Sequence, residues 1–158
     1  MNKTKQDKGI SLVSLAVAIG VILIITGTIL YQTTNGNKIA KLNQLNNDIV
    51  NLRDKVSLYY LKHRALPVLR DYTITDNINV IPQAQREHEE EGYSVIDLEL
   101  LENLQLNYGS DYEQVKDLTI PIDRNKTDLY VINNKTHVIY YIKGIELEST
   151  YYYRSTEE

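Results

Sequence analysis

The side chains able to do chemistry are few and scattered. His63, His88 and His137 stand apart, and the 158-residue chain contains no Cys. Thiolate nucleophiles, Cys-held metals and disulfides are therefore excluded. His88 lies within Glu87-His88-Glu89-Glu90-Glu91, a set of groups that would suit a cation if something ordered it. The polar run from Pro82 to Gly92 has no pattern to order them and reads as a solvated loop. Asp123 and Asp128 bracket Arg124 and Lys126, whose charges would oppose a metal ion. Asn125-Lys126-Thr127 and Asn134-Lys135-Thr136 fit a glycosylation pattern that is common by chance. There is no glycine-rich phosphate loop, no Gly-x-Ser-x-Gly and no His-Glu-x-x-His. The expectation is a protein that is not an enzyme and carries no cofactor and no resident metal.

Lys8-Gly9 stands directly before a long apolar run and raises the question of a cut site there. A glycine lets extended backbone enter a protease cleft with no side chain in the way. Behind it, Ile10 to Leu30 is interrupted only by Ser, Thr, Ala and Gly, and no charged residue occurs before Gly36. A helix of that length spans roughly 30 Å, the thickness of a bilayer core. Lys3, Lys5 and Lys8 against Asp7 set residues 1–9 on the cytoplasmic side and the rest of the chain outside. Three fates compete. A secretory signal needs a small-x-small cleavage site after its apolar core, and Ala16-Val17-Ala18 lies inside the run instead. An uncleaved anchor would hold a small extracytoplasmic binding module. Cleavage at Gly9 would keep the helix and discard only the leader.

The order Gly9-Ile10-Ser11-Leu12-Val13 followed by an unbroken apolar helix resembles the class III signal of type IV pilins and type II secretion pseudopilins. The resemblance implies cutting between Gly9 and Ile10 by a prepilin peptidase, with Lys8 at the membrane surface, then N-methylation of Ile10. It implies the peptidase, other pilin or pseudopilin subunits, an inner-membrane assembly platform and membrane lipid as partners. The machine would be a pilus, a secretion pseudopilus or a competence pseudopilus. The family's Glu position is Ser14 here, which implies a minor or tip-like subunit. A charge in that helix costs about 2.5–3.5 kcal/mol in the membrane, and Ser14 avoids it without supplying a partner for a neighbour's terminal amine. Gly20 and Gly27 would let like helices approach closely during assembly.

The elements that must position these features follow from periodicity. Thr33-Thr34-Asn35-Gly36-Asn37 predicts a break or loosening of the helix. Beyond it Ile39, Leu42, Leu45, Ile49, Leu52, Val56 and Tyr59 recur at steps of three and four, a striped helix. Lys41, Asp48, Asn51, Asp54, Lys55 and Lys62 fall mostly off the stripe. His63 and Arg64 suit the C-terminal end of the helix dipole, and Pro67 stops it. The stripe predicts packing on the chain's own domain; a two-stranded coiled coil is the competing reading.

In the distal part, Thr73–Thr75 and Asn79–Ile81 read as short strands, and Ser94 to Asp97 as the capped start of a short helix carrying Ile96, Leu100, Leu101 and Leu104. A turn of helix is expected at Tyr112–Asp117 and an edge strand at Leu118–Ile122. A hairpin is expected over residues 129–142, then a last strand from Thr150 to Tyr153, of which alternation buries only part. The predicted class is α+β: a long N-terminal helix, membrane half plus amphipathic half, on a small antiparallel β-sheet. The predicted divisions are a leader at 1–9, a transmembrane or fibre-core helix at 10–36, an amphipathic helix at 37–66 and an extracytoplasmic domain at 67–158. Residues 1–65 carry nine Lys/Arg against three Asp/Glu; residues 66–158 carry eight against eighteen. So acidic a distal part is not expected to bind nucleic acid.

Overall fold

The three- and four-residue spacing of Leu45, Ile49, Leu52 and Val56 puts all four on one side of a helix, and all four are buried. They belong to α1, a 52-residue helix over Leu12–His63. The computed structural model describes the backbone of residues 12–74, 81–82 and 92–155, and the side chains of 36–69, 81–82 and 92–155. The chain divides into two units, Met1–Asn37 and Lys38–Glu158. The first contributes the leading part of α1. Helix is assigned through Thr33–Asn37, where a break was expected. A lone glycine in a helix costs only about 1 kcal/mol, too little to end a long one.

The second unit holds the rest of α1 and all the strands. They are β1 (Val68–Ile74), β2 (Tyr93–Ile96), β3 (Tyr130–Asn133), β4 (Ile139–Tyr141), β5 (Ile145–Leu147) and β6 (Thr150–Tyr152). β1 to β4 form one antiparallel sheet in chain order, and β5 and β6 form a separate hairpin. Thus one long helix precedes an antiparallel meander, an α+β architecture. β1 is irregular between Val68 and Thr73. The β3–β4 register pairs Tyr130 with Tyr141 and Ile132 with Ile139.

Alternation along the strands builds two cores. Ile96, Tyr130, Ile132, Ile139 and Tyr141 face the α1 stripe. Tyr93, Val95, Val131 and Tyr140 face the other way, onto Tyr112, Val115, Leu129, Ile142 and Tyr153. The stripe is therefore covered by the chain's own sheet, which removes the reason for a coiled coil. With no Phe or Trp, tyrosines supply the aromatic bulk, and Tyr130, Tyr140, Tyr141 and Tyr153 are among the largest fully buried side chains. In the Tyr151-Tyr152-Tyr153 triplet only Tyr153 is buried, and the other two are half-buried. Gly144, at φ +68, is where β4 turns into β5; a Cβ there would lie 2.9 Å from Cε1 of Tyr153.

Three local expectations are corrected. Ser94 does not start a helix, because Tyr93–Ile96 is a strand paired with β1 on one side and β3 on the other. Its aromatic and β-branched residues suit a strand buried on both faces. The cap is Asp97, whose side chain accepts from the Glu99 N–H at the 3₁₀ turn Leu98–Leu100. Leu118–Ile122 is not a strand. Leu118 sits at φ +59 after helix α2 (Tyr112–Lys116), and Pro121 has no N–H for a ladder. Asp48 is not on the solvent side; it is 2% exposed. The expected strand at Asn79–Ile81 and the acidic run with His88 lie outside the described residues, Ile81 excepted.

Candidate functional site

The cleavage residues Lys8, Gly9 and Ile10 lie outside the described residues. Ser14, Gly20 and Gly27 fall within α1, in the part whose side chains are outside the description. Among the described residues no helix is long and apolar enough to cross a membrane, and the apolar run Ile10–Leu30 lies outside the described side chains.

Within the described part, polar groups converge at one place, the junction of α1, the 107–112 segment and β3. Asp48 is held by hydrogen bonds. Its Oδ2 accepts from the Asn107 N–H at 2.8 Å, the Tyr108 N–H at 3.1 Å and the Tyr130 hydroxyl at 2.8 Å. Its Oδ1 accepts from Asn107 Nδ2 at 2.8 Å. An unpaired carboxylate in such a place would be expelled or protonated; four donors are what make its burial tolerable. Tyr108 adds a second tie to the helix, its hydroxyl reaching the Lys41 carbonyl and Gln44 Oε1, each at 3.2 Å.

A second carboxylate, Asp128, lies just before β3. It accepts from the Gly109 N–H and, at 2.9 Å, from the Ser110 hydroxyl. Asp111 returns the tie by accepting from the Asp128 N–H at 2.8 Å. Three tyrosine rings join the two acids. Tyr141 lies 5.1 Å from Tyr108 and 5.2 Å from Tyr130, centroid to centroid.

Burial first, then the Asp48 charge and hydrogen bond, pushes the Tyr130 hydroxyl far above the ordinary tyrosine range. Burial, then the Asp128 charge, does the same to Tyr141. Burial, then the hydrogen bond to Asp97, raises Tyr112. These hydroxyls are held as neutral donors, not as bases or nucleophiles. The arrangement fastens α1 to the sheet.

The other groups singled out from sequence are engaged separately. The His63 ring stacks on Tyr59 at 4.3 Å, and His137 lies 5.1 Å from Tyr60. The sequon residue Asn125 accepts from the Tyr153 hydroxyl, and Asp123 pairs with Lys126. Among the described residues no three His, Cys, Asp or Glu side chains are grouped to hold a metal ion. Sequence reasoning missed the Asp48 hub entirely. Its only local signal is an acid one position from Ile49 on a striped helix, and such acids are ordinarily solvated.

No protein-family model, no curated protein and no solved structure matches the chain.

Proposed function

We propose that the chain is a pilin-like structural subunit, minor or tip-like, of a type IV pilus or of a secretion or competence pseudopilus. The observation that carries the reading is Lys8-Gly9-Ile10-Ser11-Leu12-Val13 at the head of an unbroken apolar run. A helix over Leu12–His63 followed by an antiparallel sheet supports it. A prepilin peptidase cuts after Gly9 and methylates Ile10. The apolar helix waits in the bilayer and is then drawn into a bundle of like helices, trading lipid contacts for helix contacts, with Gly20 and Gly27 allowing close approach. The acidic domain stays outside the membrane and forms the fibre surface. Ser14, where the family carries Glu, favours a subunit with no earlier neighbour to neutralise. The Asp48 junction gives the domain a rigid attachment to its helix, which a subunit pulled by that helix needs.

The test is the intact mass and N-terminal peptide of the chain made with and without an active prepilin peptidase. The expected product begins at N-methylated Ile10, and Gly9→Leu abolishes it. A chain that keeps residues 1–9 under both conditions would leave an uncleaved anchored module instead.

A further inference from the structure

Helix α2 ends in an arrangement that the fold itself does not call for. The Leu118 N–H donates to the Val115 carbonyl and the Thr119 N–H to the Gln114 carbonyl. This is the crossed pair that closes a helix through a left-handed residue, a place where Gly or Asn is usual. Here the residue is Leu at φ +59. Its side chain is 68% exposed, the most exposed of the large apolar residues described. The chain thus holds a bulky apolar group in a strained backbone position without burying it. Around it stand Glu113 and Asp117, both exposed, while Lys116 is occupied by Glu99 and Glu113.

The same unit presents a groove of matching character. One wall is the end of α1, with Lys55, Leu58, Tyr59 and Lys62; the other is the end of the 3₁₀ segment and the turn after it, with Leu100 and Glu102. Leu58 is 63% and Leu100 41% exposed, so both leucines lining the groove are open to solvent. Lys55 and Lys62 make no ion pair among the described residues. The knob is apolar with an acidic rim, and the groove is apolar with a mainly basic rim. Both are on one chain.

We infer that Leu118 of one copy docks between Leu58 and Leu100 of a second copy, with Glu113 and Asp117 against Lys55 and Lys62. Burying Leu118 there gives the strained position its compensation, and the charge pattern sets the orientation. The contact joins two different surfaces, as chain growth requires. It deepens the subunit reading above by naming where like domains meet.

The absence of Cys makes the test clean. Full-length chains carrying L58C or L118C, one of them epitope-tagged, are made together in the same cells and oxidised mildly in the membrane. The expected result is a mixed L58C–L118C disulfide dimer, at least tenfold above the L58C and S149C control pair. Thermal unfolding of each single variant, matching the parent, shows that the fold is kept. Dimers formed from L58C chains alone would overturn the inference, because the groove would then be meeting itself. Absence of mixed dimer would also overturn it, including the case in which the groove is filled from its own chain. The N-terminal mass of the same samples separates the two proposals. Chains that begin at methylated Ile10 without mixed dimer sink the contact alone. Chains that keep residues 1–9 yet form the mixed dimer sink the processed-subunit reading alone.

Discussion

Asp48 and Asp128 are both buried carboxylates held by hydrogen bonds, and they fasten different kinds of things. Asp48 sits on α1 and draws its donors from residues 59 to 82 positions away. Asp128 draws Gly109 and Ser110 from 19 and 18 positions away and ties a loop to the strand that follows. The first is a long-range staple, closing the helix onto the sheet; the second is a local clasp. Asp48 is also the deeper, 2% exposed against 9%. The staple holds α1 to the sheet, whereas the clasp shapes one loop.

Asp48→Ala should separate them most sharply. It leaves the Asn107 and Tyr108 amides and the Tyr130 hydroxyl without their acceptor. At about 1–3 kcal/mol for a buried donor left unsatisfied, with water recovering some of it, the loss should be about 3 kcal/mol. Asp128→Ala should cost about 2 kcal/mol: it frees the Gly109 N–H and the Tyr141 hydroxyl, while Ser110 is already exposed and can turn to water. Urea unfolding of the full chain in detergent reads both as a lower midpoint at unchanged slope. Equal losses, or a larger one for Asp128, would break the distinction between staple and clasp.

Smaller and sharper is Tyr130→Phe, which removes one donor and leaves three on Asp48. It should cost about 1–2 kcal/mol, and combined with Asp48→Ala it should add almost nothing, since both remove the same bond. Alkaline titration examines the same hydroxyl. Tyr130 and Tyr141 are raised in the folded state above the ordinary value of 10.0. Between that value and their folded pKa the unfolded chain loses protons that the folded chain keeps. Stability is therefore fully present below about pH 10 and falls as pH rises above it. Unfolding midpoints from pH 8 to 11 should be flat and then fall, less steeply for Tyr130→Phe. A midpoint that rises with pH would contradict the burial of these hydroxyls.

How much of this was legible in the sequence differs along the same lines. The α1 stripe, the turn of helix at Tyr112 and the β3–β4 hairpin are local patterns, visible at steps of three, four and two. Ser94 misled because a serine with an acid three residues on imitates a helix cap, while only pairing with β1 and β3 makes Tyr93–Ile96 a strand. Pro121 pointed to an edge strand, yet the turn at Leu118 had already sent the chain elsewhere. Asp48 was illegible for a plainer reason: nothing near it in sequence satisfies it. Its partners become neighbours only after the meander has folded. The Lys8-Gly9-Ile10 pattern, on which the proposed cleavage rests, is the reverse case: it is wholly local.

Leu118 completes the contrast, since its apolar side chain is left exposed at a strained backbone position. Leu118→Gly removes a left-handed conformation that costs a side-chain-bearing residue roughly 1–2 kcal/mol, and sets against it the greater freedom of Gly in the unfolded chain, about 0.5–1 kcal/mol. Little buried surface is lost with a residue already 68% exposed. The expected result is a change of about 0.5–1 kcal/mol toward greater stability, measured by urea midpoint. Had Leu118 been held for the sake of the fold, its removal would lower the midpoint. A chain made more stable by losing a residue has kept that residue for something outside itself. Gly at this position should raise the midpoint and, with L58C in one copy and E113C in the other, lower the yield of cross-link between copies.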